Sequence, residues 1–240
     1  MSSRRIVAMG GGGFSVDGDN TMLDDFVLSL AEVDGKPKVS FVPTASGDAD
    51  GYISRFFEAF PAERAQASVL SLFRREYADL REHVLSQDVV YVGGGSTLNL
   101  LAVWRAHGLD RVLREAYESG VVLAGLSAGM NCWFEASVTD SWGVEDLRPL
   151  DDGLGLLTGS ACPHYDGEPE RRPTYRRLIE EGFPAGYAVQ DCAALYFQDG
   201  WLDTVVASQP GAQAFWVECG PEGISERPLP VRFLGAEALG

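Results

Sequence analysis

Lysine is almost missing from this 240-residue chain, with Lys36 and Lys38 the only two. Acidic residues number 35 against 19 basic ones, which leaves a formal charge of −16 at pH 7. A surface of that sign repels polyanions, so nucleic acid and anionic membranes are poor partners, and an anionic substrate would need a local arginine to offset the field. No apolar run reaches the length that spans a bilayer. The first one, Ile6-Val7-Ala8-Met9, is too short for the core of a secretory signal and runs into glycines instead of a cleavage site. The four cysteines, Cys132, Cys162, Cys192 and Cys219, are far apart and show no C-x-x-C spacing. That pattern predicts reduced thiols and a cytoplasmic location, with no metal site and no cofactor. Histidine occurs three times, at His83, His107 and His164, so any general base has few candidates.

What is present reads as a compact α/β chain. Hydrophobic residues make up 45% of it, enough for a sizeable core, and no repeat or long linker breaks it, so residues 1–240 are expected to form one domain. Strand-like runs at 6–9, 39–42, 69–72, 89–92 and 121–124 alternate with helical spacing, as at Leu23, Phe26, Val27 and Leu30 and at Phe56, Phe57 and Phe60. This order predicts a doubly wound, mainly parallel sheet with helices on both faces. After residue 190 the texture changes. Ala193 to Phe197, the turn Asp199-Gly200 and Trp201 to Ala207 read as C-terminal antiparallel hairpin structure appended to the sheet.

Two glycine-rich turns carry the chemistry. Gly125-Leu126-Ser127-Ala128-Gly129 follows Val121 to Ala124 and reads as a strand that delivers a serine onto a sharp turn, with the amide of Ala128 facing an incoming carbonyl oxygen. Upstream, Val89 to Val92 runs into Gly93-Gly94-Gly95-Ser96-Thr97, where unobstructed amides before a helix can hold a phosphate or an oxyanion. A phosphate loop would follow its glycines with lysine, and none is there, so the oxyanion reading is preferred. A third run, Gly10-Gly11-Gly12-Gly13-Phe14-Ser15, fails the dinucleotide fingerprint because Ser15 occupies the last glycine position. Its expected role is to shape the pocket. Cys132, five residues past Ser127 and beside Trp133 and Phe134, reads as core.

A serine nucleophile needs a base. His83 lies in a short amphipathic stretch and His107 at an expected helix end, where a histidine favours the terminal carbonyls. His164 sits in Ala161-Cys162-Pro163-His164-Tyr165-Asp166-Gly167, a loop following an apolar run, and such loops mount catalytic side chains.

The order and spacing of Gly93-Gly94-Gly95-Ser96-Thr97, Gly125-Leu126-Ser127-Ala128-Gly129 and Pro163-His164 resemble the peptidase E (aspartyl dipeptidase) family, relatives of cyanophycinase. The similarity runs from the first strand to beyond Arg177. The resemblance implies a fold like that of class I glutamine amidotransferases and serine-dependent hydrolysis of short peptides after an N-terminal aspartate. It implies Ser127 as nucleophile, His164 as general base, and amides near Gly94, Gly95 and Ala128 as the oxyanion hole. For the carboxylate that orients the histidine, Asp140 is the choice, with Glu135, Asp166 and Asp191 as alternatives. Arg171 or Arg172 is expected to meet an acidic substrate side chain, while Arg176 and Arg177 read as a solvated helix face. The partner is then a small peptide, and the chain a monomer or homodimer. Two other readings stand beside this one. An α/β-hydrolase esterase shares the elbow and the Ser, Asp, His order but usually carries its histidine near the C-terminus, whereas residues 165–240 follow His164. A non-catalytic member of the fold would bind a small ligand only.

Overall fold

The computed structural model describes residues 3–16, 19–143 and 146–235. The first half contains β1 (Arg5–Met9), α1 (Met22–Ser29), β2 (Lys38–Val42), α2 (Asp50–Ala59), β3 (Gln66–Val69), α3 (Leu80–Leu85), β4 (Val89–Val92), α4 (Thr97–His107) and α5 (Leu109–Ser119). It continues with β5 (Val122–Leu126), α6 (Ala128–Asn131), β6 (Phe134–Thr139), β7 (Arg148–Leu150), β8 (Leu157–Cys162), α7 (Arg171–Glu180) and β9 (Gly186–Val189). The last strands are β10 (Ala193–Gln198), β11 (Trp201–Ala207), β12 (Ala214–Gly220), β13 (Gly223–Pro228) and β14 (Val231–Phe233).

Eight strands form the larger sheet in the order β14-β11-β10-β1-β5-β4-β2-β3. Its half from β1 to β3 is parallel throughout, and β10 joins the other side of β1 antiparallel. Side chains alternate across β1, sending Ile6 and Ala8 into one apolar cluster and Val7 and Met9 into another, all fully buried. A strand buried on both faces is what a parallel sheet covered on both sides requires. The helices are shaped by the same economy. Leu109, Leu113, Ala116 and Tyr117 put the buried stripe of α5 on one face. Ser96 caps α4 by accepting the N–H of Asn99, and Gly108, at φ 74°, ends it.

The expected mainly parallel sheet and C-terminal antiparallel strands are both present. One strand is displaced from its expected position: β3 is Gln66–Val69, and Leu70 and Leu72 pack beyond its end.

A second, six-stranded sheet, β13-β12-β9-β8-β6-β7, is an addition to the sequence reading. Its centre, β6-β8-β9, is parallel, with Cys162 opposite Ala188. The run Leu-Thr-Gly-Ser-Ala-Cys of β8 has one glycine and no β-branched residue but threonine, so its periodicity announces nothing. Among the described residues, no helix is long and apolar enough to cross a membrane, and no cluster of His, Cys, Asp and Glu is arranged to hold a metal ion.

Candidate active site

The serine turn is strained and tightly packed. Ser127 has φ 55° and ψ −113°, a region that L-residues avoid and that costs on the order of 1–3 kcal/mol. Its two glycines are there because backbone lies against backbone. A Cβ on Gly125 would stand 2.2 Å from the carbonyl oxygen of Gly129, and one on Gly129 would stand 2.4 Å from that of Val92. This close approach seats α6 directly on β5 and β4. The half-buried Ser127 is held by its backbone, donating its N–H to Met9 (3.1 Å) and accepting from Met130 and Asn131 (both 2.9 Å). Ser127 lines a cavity of about 530 Å³ together with Gly95, Ser96, Asp140, Ser141, Trp142, Gly143, His164, Glu168 and Arg171.

His164 reaches this cavity from the second sheet. It follows β8, has φ 53°, and donates its backbone N–H to Gly10 (3.2 Å). Its Nδ1 lies 2.6 Å from Oδ1 of Asp191, which follows the neighbouring parallel strand β9. The site thus forms between two sheets. The first supplies the serine and the glycine loop, the second the histidine and its carboxylate.

The other carboxylates that the sequence offered are engaged elsewhere. Asp140, the first choice, is exposed at the end of β6 with Oδ1 3.6 Å from Nη2 of Arg171, so the histidine contact belongs to Asp191 instead. Glu135 accepts the N–H of Gly159 at 2.9 Å. Asp166 accepts the N–H of Asp191 at 3.2 Å and so braces the residue that holds the ring. Asp191 lies 27 positions after the histidine, outside the Ser, Asp, His order. Only the β8–β9 pairing brings the two together.

The glycine loop is corrected in one detail. Gly94 donates its N–H to the hydroxyl of Tyr52 at 3.1 Å, which withdraws that amide from the cavity. Gly95, at φ 135°, is pressed so closely on Ala45 that a Cβ would come 2.2 Å from its carbonyl oxygen. The Gly95 backbone lines the cavity, and Ala128 stands at the first position of α6, where a helix leaves its amide without an internal partner.

The two arginines part company. Arg171 lies at the cavity with its side chain 4% exposed, Nε donating to Glu168 at 2.5 Å and Nη1 to the carbonyl of Val138 at 3.5 Å. Arg172 turns the other way, over the rings of Tyr165 and Phe215 and onto Glu226, where Arg176 also bonds at 2.9 Å. Arg177 pairs with Glu181 on the exposed face of α7.

The remaining histidines have local work. His83 shares a hydrogen bond of 2.9 Å with Ser40 and stacks on Tyr77, and burial holds its ring below the usual histidine range. His107 is exposed in the last turn of α4. Cys132 is fully buried and its thiol is pushed far up by that burial, so it is core and no nucleophile.

The family model described as peptidase family S51 matches residues 6–205. An uncharacterized peptidase, YgaJ, of Bacillus subtilis is 50% identical over 233 residues, covering 97% of this chain and 100% of the relative. Peptidase E of Pasteurella multocida is 30% identical over 187 residues, 73% of this chain and 76% of that protein. Among solved structures, a peptidase from an acI-B1 actinobacterium superposes with a TM-score of 0.70 at 20% identity, covering 95% of this chain and 94% of the other.

Proposed function

Because this chain belongs to peptidase family S51, we propose that it is a serine peptidase that cleaves short peptides through an acyl-enzyme, with Ser127, His164 and Asp191 as its catalytic residues. The observation that carries the proposal is the strained Ser127 opening onto the same cavity as a histidine whose Nδ1 is held at 2.6 Å by a carboxylate. With Asp191 accepting from Nδ1–H, Nε2 is left as the base. It takes the proton as Ser127 Oγ bonds to the scissile carbonyl carbon, and returns it to the amine that leaves when the C–N bond breaks. Water, deprotonated by the same nitrogen, then adds to the ester carbonyl, and Ser127 departs with the proton. The amides of Gly95 and Ala128 supply the donors for the tetrahedral oxyanion, work that is commonly worth a factor of about 10²–10³ per donor.

Asp140, Glu168 and Arg171 line the polar end of the cavity, and their formal charges sum to net negative. A substrate carboxylate must displace one of the two carboxylates from the guanidinium, whereas a substrate ammonium meets both in place. We read this end as the seat of the free N-terminal amine. An acidic first residue, bound by Arg171, is the second reading. It is favoured by the 3.6 Å separation of Arg171 from Asp140, too long for a hydrogen bond and open to exchange. Arg172, turned onto Glu226, has no part in it.

A serine-directed fluorophosphonate together with a panel of dipeptides tests the proposal. Labelling of Ser127 and turnover of dipeptides with free, but not acetylated, amino termini are expected. Turnover that survives Ser127→Ala rejects the serine mechanism, and faster hydrolysis of simple esters than of any peptide favours an esterase.

A further inference from the structure

The carboxyl of Asp24, on α1, is 1% exposed and takes no part in the chemistry above. It accepts the hydroxyl proton of Tyr91 at 2.9 Å and the backbone N–H of Phe14. Phe14 closes the turn that begins at Gly10, and the other end of that turn holds the catalytic pair. The carbonyl of Gly10 accepts the N–H of His164 (3.2 Å), and the carbonyl of Gly11 accepts the N–H of Cys192 (3.0 Å), the residue after Asp191. Contact there is close enough that a Cβ on Gly11 would fall 2.0 Å from Asp191 Oδ1 and 2.8 Å from His164 Cε1. At the other end, a Cβ on Gly13 would fall 3.0 Å from both Asp24 Oδ1 and Tyr91 Oη.

We propose that Asp24 is a positioning residue for the His164–Asp191 pair: clamped to Tyr91 and Phe14, its carboxylate anchors the glycine turn whose backbone holds both members. The proposal rests on the serine-peptidase reading for its kinetic consequences, not for its geometry. The same turn also steadies the oxyanion loop. Phe14 packs on Tyr52 at 5.5 Å between ring centres, and the Tyr52 hydroxyl, bonded to Ser15, accepts the amide of Gly94.

The charged and titratable groups around Asp24 are Tyr91 on β4, Tyr52 on α2, Asp25 on its own helix, and Arg64, which bonds Asp25 at 2.6 Å. Burial outweighs the pull of Tyr91, Arg64 and the Phe14 amide and lifts the carboxyl to about 6. Protonation removes the negative charge that both donors meet and adds a hydrogen to one oxygen, so the bonds from Tyr91 and Phe14 weaken. The pair at the far end of the turn should register the change.

The test follows the downfield proton resonance of His164 Nδ1–H across pH, with Asp191 as its acceptor, in wild type and in Asp24→Asn. Wild type should show an inflection near pH 6, and the variant should lack it. In the same proteins, Asp24→Asn should lower kcat roughly tenfold with KM within about twofold. In wild type, kcat should fall by up to about the same tenfold as Asp24 takes up its proton, a step that the variant should lack. Should Asp24→Asn not fold, Tyr91→Phe decides: it removes a donor that favours the charged carboxylate and should move the inflection to higher pH. Identical inflections and identical kcat in wild type and variants overturn the proposal. A wild type without peptide turnover sinks the peptidase reading alone, since the resonance reports the coupling independently.

Discussion

His164 Nδ1 and Asp191 Oδ1 stand 2.6 Å apart because their strands, β8 and β9, run parallel and side by side in the smaller sheet. Two strand ends at one level of a parallel pair place their following loops in contact, and the bond between these loops holds the ring beside the cavity that His164 lines. Asp191→Ala should therefore lower kcat by roughly 10³–10⁴ with little change in KM. Asp140→Asn should leave kcat within a few-fold and raise KM for peptides with free amino termini. Steady-state kinetics on one dipeptide separates the two roles, and a larger kcat loss in Asp140→Asn would return the orienting role to that residue.

Strain at Ser127 predicts opposite effects on stability and activity. Ser127→Gly can occupy φ 55°, ψ −113° without a Cβ clash, so it should gain about 1 kcal/mol while losing turnover and fluorophosphonate labelling. Denaturant melts beside a labelling assay read both. A loss of stability would show that the serine side chain contributes packing that outweighs its backbone.

Gly11→Ala should damage the site far more than the fold. The new methyl would meet Asp191 Oδ1 and His164 Cε1, side-chain atoms that can shift, not rigid backbone. Turnover should fall at least about a hundredfold, as expected of a displacement near 1 Å, with a loss of stability of roughly 1–2 kcal/mol. Gly125→Ala and Gly129→Ala, which set a methyl against carbonyl oxygens of the elbow, should cost well over that, about 3–5 kcal/mol.

Asp24 makes stability depend on pH in a direction opposite to that of a paired surface carboxylate. Its pKa is raised from 3.8 to about 6, so the folded chain keeps this proton at a pH where the unfolded chain has released it. Between about pH 4 and 6 the folded state binds more protons, and the contribution to stability falls as pH rises through that window. Over the whole window the change is about 3 kcal/mol. The stability of wild type minus that of Asp24→Asn, taken from urea melts at stepped pH, should decline by that order. A flat difference would mean that burial does not perturb the carboxyl.

Arg171→Ala and Arg172→Ala should differ. Arg171 lines the cavity and its loss should redistribute rates across a dipeptide panel varied at the first residue, by roughly ten- to a hundredfold for an acidic one if that side chain is bound there. Arg172→Ala leaves Glu226 with Arg176 and should change stability slightly and turnover not at all. Equal effects of the two on specificity would contradict their opposite orientations.

The residues of the elbow, the glycine loop and the histidine loop were legible as a linear string, because each is a local device. A glycine needed for close backbone approach, a serine on a strand-to-helix turn and a strand buried on both faces all leave their mark within a few positions. The parallel half of the larger sheet could be read the same way, from apolar runs alternating with helical spacing. What the chain order could not reveal is which distant groups meet. The second sheet is built from short strands with weak patterning, and its β8–β9 pairing alone decides that Asp191, not Asp140, holds His164. Tyr52 takes the Gly94 amide, and Arg171 and Arg172, neighbours in sequence, reach different partners, since adjacent positions on a helix point about 100° apart. Local conformation is written in neighbouring residues by sterics and hydrophobic period. Hydrogen-bond partners across sheets depend on register and packing, which exist only once the whole chain has folded.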